Sequence, residues 1–296
     1  MLSSGVDGDF LFGRNIVTPG LKLGSFEIFW LDGGVFELEG GCMFGVVPRA
    51  LWQKKFPCTD DGYITLTNTP ILVRTPEANL IIDTGLGNKL TDKQKKIYRV
   101  TEDWDVEGSL ARLGLAREEI DHVILTHCDF DHAGGIVMQN RAGEPELTWP
   151  NAVHHIQRTE WEDVLSPHLR AASAYWPENS DLLRGHNLLN LVDGEAEPVP
   201  GVRLVPTGGH TRGHQVVRLS SEGEKAIHLG DLLPNHAYFH PLWVTPYDNF
   251  PLDSIAQKVR LIVPAVEEDQ WFLFYHDPCM LACKFDLEGN VVEKFG

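Results

Sequence analysis

The stretch "VILTHCDFDHAGG" (Val123–Gly135) sets two histidines and two aspartates within the six residues from His127 to His132, directly after an apolar run that reads as a strand. His127, Asp129 and Asp131 alternate, and His132 follows at once. A strand that runs into a tight turn gathers such side chains at one sheet edge, and imidazole with carboxylate is the ligand chemistry of zinc, manganese and iron. Acid-base schemes fit less well. A carboxylate pair for glycoside cleavage has no use for flanking histidines, and no GxSxG nucleophile turn occurs in the chain. Cys128 lies between alternating positions and is expected to face away from them.

Upstream, "SFEIFWLD" (Ser25–Asp32), "YITLT" (Tyr63–Thr67), "PILVRT" (Pro70–Thr75) and "NLIID" (Asn79–Asp83) are short β-rich runs between Gly, Pro, Asn and Asp punctuation, which predicts antiparallel hairpins. Helical stretches from about Lys89 to Tyr98 and over "EGSLARLGL" (Glu107–Leu115) lead back to the motif strand, closing a strand-helix-strand unit. Downstream, "RTEWEDVL" and "HLRAASAYW" predict a helical insertion over about 150–193, outside the central sheet. A second β-rich half follows: "VRLVPT" (Val202–Thr207), "QVVRLS" (Gln215–Ser220) and "KAIHLGD" (Lys225–Asp231). A helix over about Leu252–Ala265 precedes "WFLFYH" (Trp271–His276) and "LACKFDL" (Leu281–Leu287). Two β-rich halves with helices between and after them predict one α/β domain over 1–296, a layered sandwich with helices outside.

Three of the later strands end on further ligand types. His210 lies in "TGGHTRGH" just after "VRLVPT", Asp231 closes "KAIHLG" and His276 closes "WFLFY". One loop cannot saturate two ions, and these strand ends supply what it lacks. The other histidines carry no metal-ligand spacing: His122, His154, His155, His168 and His186 read as surface or satisfied polar groups, His228 as sheet packing, and His240 has no assignment.

Composition excludes several classes. The 42 acidic against 25 basic residues give a formal charge of −17, which disfavours nucleic acid as a partner. The five cysteines show neither CxxC pairs nor framework spacing, so reduced thiols in a cytoplasmic protein are expected. "MLSSGVDGDFLFGRN" (Met1–Asn15) reads as neither signal nor transit peptide. No run approaches the roughly 18 apolar residues that a membrane span requires. The expected partner is a small molecule, and the expected assembly a monomer or homodimer.

With "HCDFDH", "GGHTRGH", "LGD" and "FYHDP" in this order, the chain resembles the metallo-β-lactamase superfamily of metallohydrolases. Through "GGCMFGVVP", "LIIDTGLG", "DFDHAGG" and "FYHDP" it is most similar to the subgroup of quorum-quenching lactonases, esterases and phosphotriesterases. The resemblance spans about Gly24 to the end. It implies an αββα four-layer sandwich with two divalent ions, usually zinc, at one edge of the sheets. His127, position 129 and His210 would hold the first ion, Asp131, His132 and His276 the second, and Asp231 would bridge them. The resemblance also implies a supporting place for Asp83 and a loop-stabilising or nearby role for His214.

The family pattern has His where this chain has Asp129, and three readings stay open: a ligating carboxylate that suits manganese or iron, a side chain too short to reach its ion, or a metal shell without catalysis. The implied reaction is attack of a metal-bridging hydroxide on a lactone or carboxylic ester carbonyl, with Asp131 as proton carrier. His236 and Tyr238 are candidate cleft donors. Met43 and Phe44 belong to the apolar loop "EGGCMFGVVPRALWQKKFP", which is either pocket wall or core and favours an uncharged or acyl-bearing substrate. The alternatives are phosphotriester or phosphodiester hydrolysis of a small substrate, a catalytically weak metal-binding or signalling homologue, and diiron redox chemistry.

Overall fold

The computed structural model describes residues 20–296; the reading of Met1–Asn15 lies outside them. Two seven-stranded sheets form the centre. The first runs, strand by strand across the sheet, Leu21–Leu23, Phe26–Trp30, Ile71–Arg74, Asn79–Ile82, His122–Ile124, Val153–Gln157 and Leu189–Val192. The second runs in sequence order: Ala196–Val199, Val202–Pro206, Gln215–Ser221, Glu224–His228, Trp271–Leu273, Ala282–Phe285 and Val291–Phe295.

Period-two alternation decides what each face meets. Ile71 and Val73 pack between the sheets with Val217, Leu219 and Leu273, whereas Leu72 points the other way and packs with Val106 and Leu110 of the helix Val106–Arg112. In the second sheet Val216 and Ile227 turn outward onto Leu261, Ile262 and Ala265 of the helix Pro251–Glu267. Each such fully buried aliphatic side chain contributes about 1.5–3 kcal/mol. The result is helix, sheet, sheet, helix: the αββα four-layer arrangement.

The segment 150–193 differs from the helical insertion expected outside the sheet. Its ends, Val153–Gln157 and Leu189–Val192, are parallel strands of the first sheet. Within it only Arg158–Leu165 is an α-helix; "HLRAASAYW" forms turns, followed by short 3-10 turns at Pro177–Asn179 and Asp181–Leu183. The strand was hidden because an interior parallel strand is covered on both faces, and this one fills its positions with His154, His155 and Gln157, all buried, instead of aliphatic residues.

Strand direction places the chemistry. Asn79–Ile82, His122–Ile124 and Val153–Gln157 are mutually parallel, and they end towards Asp83, His127 and Glu160. In the second sheet Glu224–His228 is parallel to Trp271–Leu273, and Val202–Pro206 runs the same way through the antiparallel strand between. These three end towards Asp231, His276 and His210. All six residues therefore emerge at carboxyl ends of strands, the usual location of sites in open α/β sheets.

Candidate metal centre

The motif strand ends at Ile124, and the turn after it enters a four-residue helix, Phe130–Ala133, which carries Asp131 and His132. The turn depends on the two glycines that follow. A Cβ on Gly134 would lie 2.3 Å from the Leu86 carbonyl oxygen, and one on Gly135 2.2 Å from that of Thr84.

The side chains converge as two triads and a third group that links them. Ligand atoms of His127, Asp129 and His210 lie within 4.8 Å of one another, as do those of Asp131, His132 and His276, and those of His127, His132 and Asp231. Asp231 stands between the triads. Its Oδ2 is 3.5 Å from His210 Nε2, while its Oδ1 is 3.3 Å from His132 Nε2 and 3.5 Å from His276 Nε2. The Asp129 carboxylate points inward, with Oδ2 3.4 Å from His210 Nε2 and 3.8 Å from His127 Nε2. The Asp129 carboxylate oxygen thus lies among the ligand atoms of His127 and His210.

Hydrogen bonding fixes the tautomer of every histidine in the triads. His132 Nδ1 faces Asp83 Oδ2 at 3.0 Å, His210 Nδ1 faces Asp248 Oδ1 at 2.9 Å, and His276 Nδ1 faces the Thr67 carbonyl oxygen at 2.8 Å. A carboxylate or carbonyl only accepts, so each Nδ1 carries the hydrogen. For His127 the argument has one more step: Thr126 Oγ1 donates to Asp83 Oδ2, so its oxygen accepts from His127 Nδ1 at 3.0 Å. In the neutral rings all four Nε2 lone pairs then aim into the centre. Those of His132 and His276 are 3.1 Å apart. Two lone pairs at that distance, with carboxylates around them, need positive charge between or beside them, from a proton or from cations. His127 Nε2, His210 Nε2 and Asp231 Oδ1 are buried and have no hydrogen-bond partner among the described residues. A nitrogen and oxygen donor set of this kind fits divalent zinc, manganese or iron.

The electrostatics show the same demand for positive charge, met by protons on two of the rings when no ion is bound. Burial presses the His132 and His210 rings towards the neutral form, yet neighbouring carboxylates, Asp231 and Asp83 for His132 and Asp129 and Asp248 for His210, outweigh it and hold both pKa values well above the ordinary range. Burial works against the Asp231 charge too, and His132 and His276 still hold its pKa well below that of a free carboxylate. His127 is carried far down, first by burial and then by the other rings.

Supporting groups form a second layer. Asp83 adopts φ 56° and accepts from both the backbone and the hydroxyl of Thr126, each at 2.8 Å. His228 lies behind it, with Nε2 3.7 Å from Asp83 Oδ2. His214 is buried, with Nδ1 2.8 Å from Thr207 Oγ1, and burial takes its pKa down to about 3. Cys128 packs with the outer helices, away from the triads.

Three residues without a sequence signal also belong here. Asp248 orients His210. The fully buried Glu160 accepts from Cys128 N at 2.8 Å, Thr211 Oγ1 at 2.6 Å and Tyr175 Oη at 3.1 Å, tying the motif turn to the His210 loop. Tyr275 stacks on His132 at 4.4 Å and donates to the Asp131 carbonyl oxygen at 2.7 Å.

His236 and Tyr238, expected as cleft donors, are turned elsewhere. Both ring nitrogens of His236 face acceptors, Asp277 Oδ2 at 2.6 Å and the Lys55 carbonyl oxygen at 2.9 Å. Tyr238 is buried and donates to the Met43 carbonyl oxygen at 2.6 Å, while the buried Lys258 holds its own carbonyl at 2.6 Å. The chain after Asp231 coils into a 3-10 turn, His236–Phe239, that packs into the outer core instead of over the centre. Met43 and Phe44 divide: Met43 lines the cleft, whereas Phe44 stacks between Trp52 and Tyr238 at 4.9 and 5.0 Å.

The cleft holds about 390 Å³ and reaches Asp129, Asp131, Asp231, His210 and His276 at its floor. Its walls mix apolar side chains with polar ones, and Tyr98 and Tyr247 are among the lining residues.

Known proteins share this fold. A family model described as the metallo-beta-lactamase superfamily matches residues 66–265. A crystal structure of a probable metal-dependent hydrolase from Staphylococcus aureus shares 40% identity at a TM-score of 0.88, covering 93% of this chain and 98% of its own. An N-acyl homoserine lactonase of Bacillus thuringiensis is 27% identical over 227 residues, covering 72% of this chain and 83% of its own. AidC, a dizinc quorum-quenching lactonase, shares the fold at a TM-score of 0.77 and 20% identity, covering 94% of this chain and 97% of its own.

Proposed function

The chain belongs to the metallo-beta-lactamase superfamily and is a metal-dependent hydrolase, and from that premise we propose that it cleaves a carboxylic ester, a lactone being the cyclic form, at a centre of two divalent ions. His127, Asp129 and His210 would hold one ion, Asp131, His132 and His276 the other, and Asp231 would serve both. The reading rests above all on the four inward Nε2 lone pairs, divided into two triads by the Asp231 carboxylate. N-acyl homoserine lactonases among the relatives support the ester class, and zinc is the proposed ion, in keeping with a dizinc neighbour.

When bound, such ions supply Lewis acidity towards a carbonyl oxygen and acidify water to a pKa near ~7. The chain's own groups do the rest. The Nδ1 hydrogen bonds fix four imidazoles in one tautomer, so no reorganisation is needed as charge develops. Asp131, at the cleft floor with Oδ2 3.6 Å from His276 Nε2, takes the proton that the attacking water gives up and passes it to the departing alcohol oxygen. Tyr98 takes the role that His236 and Tyr238 cannot fill. Burial, and next the charge of Asp131, raise its pKa, so its hydroxyl stays protonated and donates to the substrate's carbonyl oxygen from the cleft wall. The apolar side chains of the wall exclude water around the ester.

The test is to load purified protein separately with zinc, manganese and iron, measure ions per chain, and assay a lactone, an aryl ester and a phosphotriester. Turnover of lactone or aryl ester above the phosphotriester is the expected result. Two bound ions with no turnover of any of the three would overturn the ester assignment.

A further inference from the structure

The cleft that opens on the candidate centre carries one arginine, Arg170, on its wall. Its carrier, the turn-rich part of the segment 158–189, packs against the loop that supplies Asp248. Nε donates to Asn249 Oδ1 at 3.1 Å, and Nη2 donates to the Pro246 carbonyl oxygen at 2.5 Å and to the Asp248 carbonyl oxygen at 3.2 Å. The guanidinium plane is thereby fixed, and no carboxylate lies within ion-pair distance among the described residues. Nη1 has no hydrogen-bond partner there either, so two N–H groups remain free.

Asn249 sharpens the picture. An arginine can only donate, so the Asn249 side chain must present its oxygen to Nε. That turns its amide NH2 outward, again as a donor, and Asn249 lines the same cleft. Its position relative to the centre is set by the backbone, since Asn249 N donates to the His210 carbonyl oxygen at 2.9 Å. The cleft therefore carries a preorganised cation and an amide, both offering hydrogens and neither offering an acceptor, together with residues of the centre where the ester is cut and the apolar side chains of Phe36, Leu38, Leu66 and Phe130.

We propose that the substrate is an anionic ester, with a carboxylate or comparable acceptor-only group that Arg170 Nη1 and Asn249 Nδ2 bind while the ester lies at the metal centre. The inference rests on the ester-hydrolase reading and deepens it, and of the uncharged or acyl-bearing substrate that the apolar loop suggested it keeps only the acyl-bearing one. In a protein of net charge −17, a fixed cation in the cleft wall offsets the repulsion that an anionic substrate otherwise meets. Planar two-point recognition of a carboxylate is the task for which arginine differs from lysine.

The test compares 4-nitrophenyl butyrate with mono(4-nitrophenyl) succinate, near-isosteric esters that differ in one terminal carboxylate, on metal-loaded full-length protein. Wild type is expected to favour the succinate. In Arg170→Met the ratio of kcat/KM for succinate over butyrate falls about 10- to 100-fold, chiefly through KM, as expected for loss of charge-assisted hydrogen bonds. Arg170→Lys restores part of the ratio. Equal losses on both esters would show that Arg170 only staples the two loops together, and would overturn the proposal. If the loaded protein cleaves neither ester, the ester reading fails, and titration calorimetry with succinate and butyrate decides the inference by itself. Binding of succinate above butyrate that Arg170→Met abolishes supports it; equal affinities, or a preference that survives the substitution, overturn it.

Discussion

Replacing Asp248 by Asn tests the division of the centre into two unequal sites. Asp248 Oδ1 accepts from His210 Nδ1 at 2.9 Å and from Thr245 Oγ1 at 2.8 Å, and the residue is buried. Asparagine keeps the shape and the accepting oxygen but removes the charge. A hydrogen bond to a charged group contributes about 1.5–3 kcal/mol and a neutral one about 0.5–1.5 kcal/mol. The expected loss is therefore about 1–1.5 kcal/mol, or roughly tenfold in affinity for the ion held by His127, Asp129 and His210. That agrees with the lower end of the ~10- to 100-fold commonly found for groups that orient a ligating histidine. The other site, with His132 backed by Asp83 and His276 by Thr67, does not depend on Asp248. Competition with a chromogenic zinc chelator should resolve one weakened and one unchanged ion per chain. Equal weakening of both ions, or of neither, would refute the assignment of His210 to a separate site.

Asp129→His removes one negative charge from the centre; a unit charge about 4 Å away is worth ~4 kcal/mol at an effective dielectric of ~20, a ceiling of about 3 pH units. The acidic limb of the kcat/KM profile of the zinc-loaded protein should move to lower pH, and a move to higher pH would contradict a ligating carboxylate. Tyr98→Phe should lower kcat more than it raises KM, by about tenfold or more, if its hydroxyl helps the developing oxyanion; a change in KM alone would remove it from that role. His154 is fully buried, and burial takes its pKa down to about 4 against an unfolded value near ~6.5. The unfolded chain binds the extra proton between those values, so stability is complete above pH ~6.5 and falls by about 3 kcal/mol as pH drops towards 4. Urea unfolding of His154→Asn, which retains a donor for the Ala152 carbonyl, should show a shallower loss over that range; an identical slope would contradict burial as the cause. Gly134→Ala drives a Cβ to 2.3 Å from the Leu86 carbonyl oxygen and should destabilise the fold by about 1–3 kcal/mol, seen as a lower denaturant midpoint.

The alternating strands were legible because each has one face in the central core and one beneath a helix, as in Ile71, Leu72 and Val73. The strand Val291–Phe295 was not, since as an edge strand with four exposed residues it has no apolar alternation to read. Nor were the helices Gly40–Phe44 and Arg49–Trp52, each too short for a helical period to show. At the site, His127, His210, Asp231 and His276 stood out because a strand end is a local feature. Asp248 and Glu160 stand 38 residues from His210 and 32 from Cys128, the groups they meet, and only the folded loops join them. Glu160 sits in "RTEWEDVL", where an acidic residue in the first helical turn looks like a solvated charge. His236 and Tyr238 were singled out by nearness to Asp231 alone, and chain proximity says nothing about which way a 3-10 turn faces.

The most direct test of the central claim is the number and position of ions in the loaded protein, from metal analysis together with anomalous scattering at the metal edge. The account predicts two ions per chain, one touching His127, Asp129 and His210, the other Asp131, His132 and His276, with Asp231 touching both. A single ion, or two ions with the Asp129 carboxylate turned away from either, would contradict it.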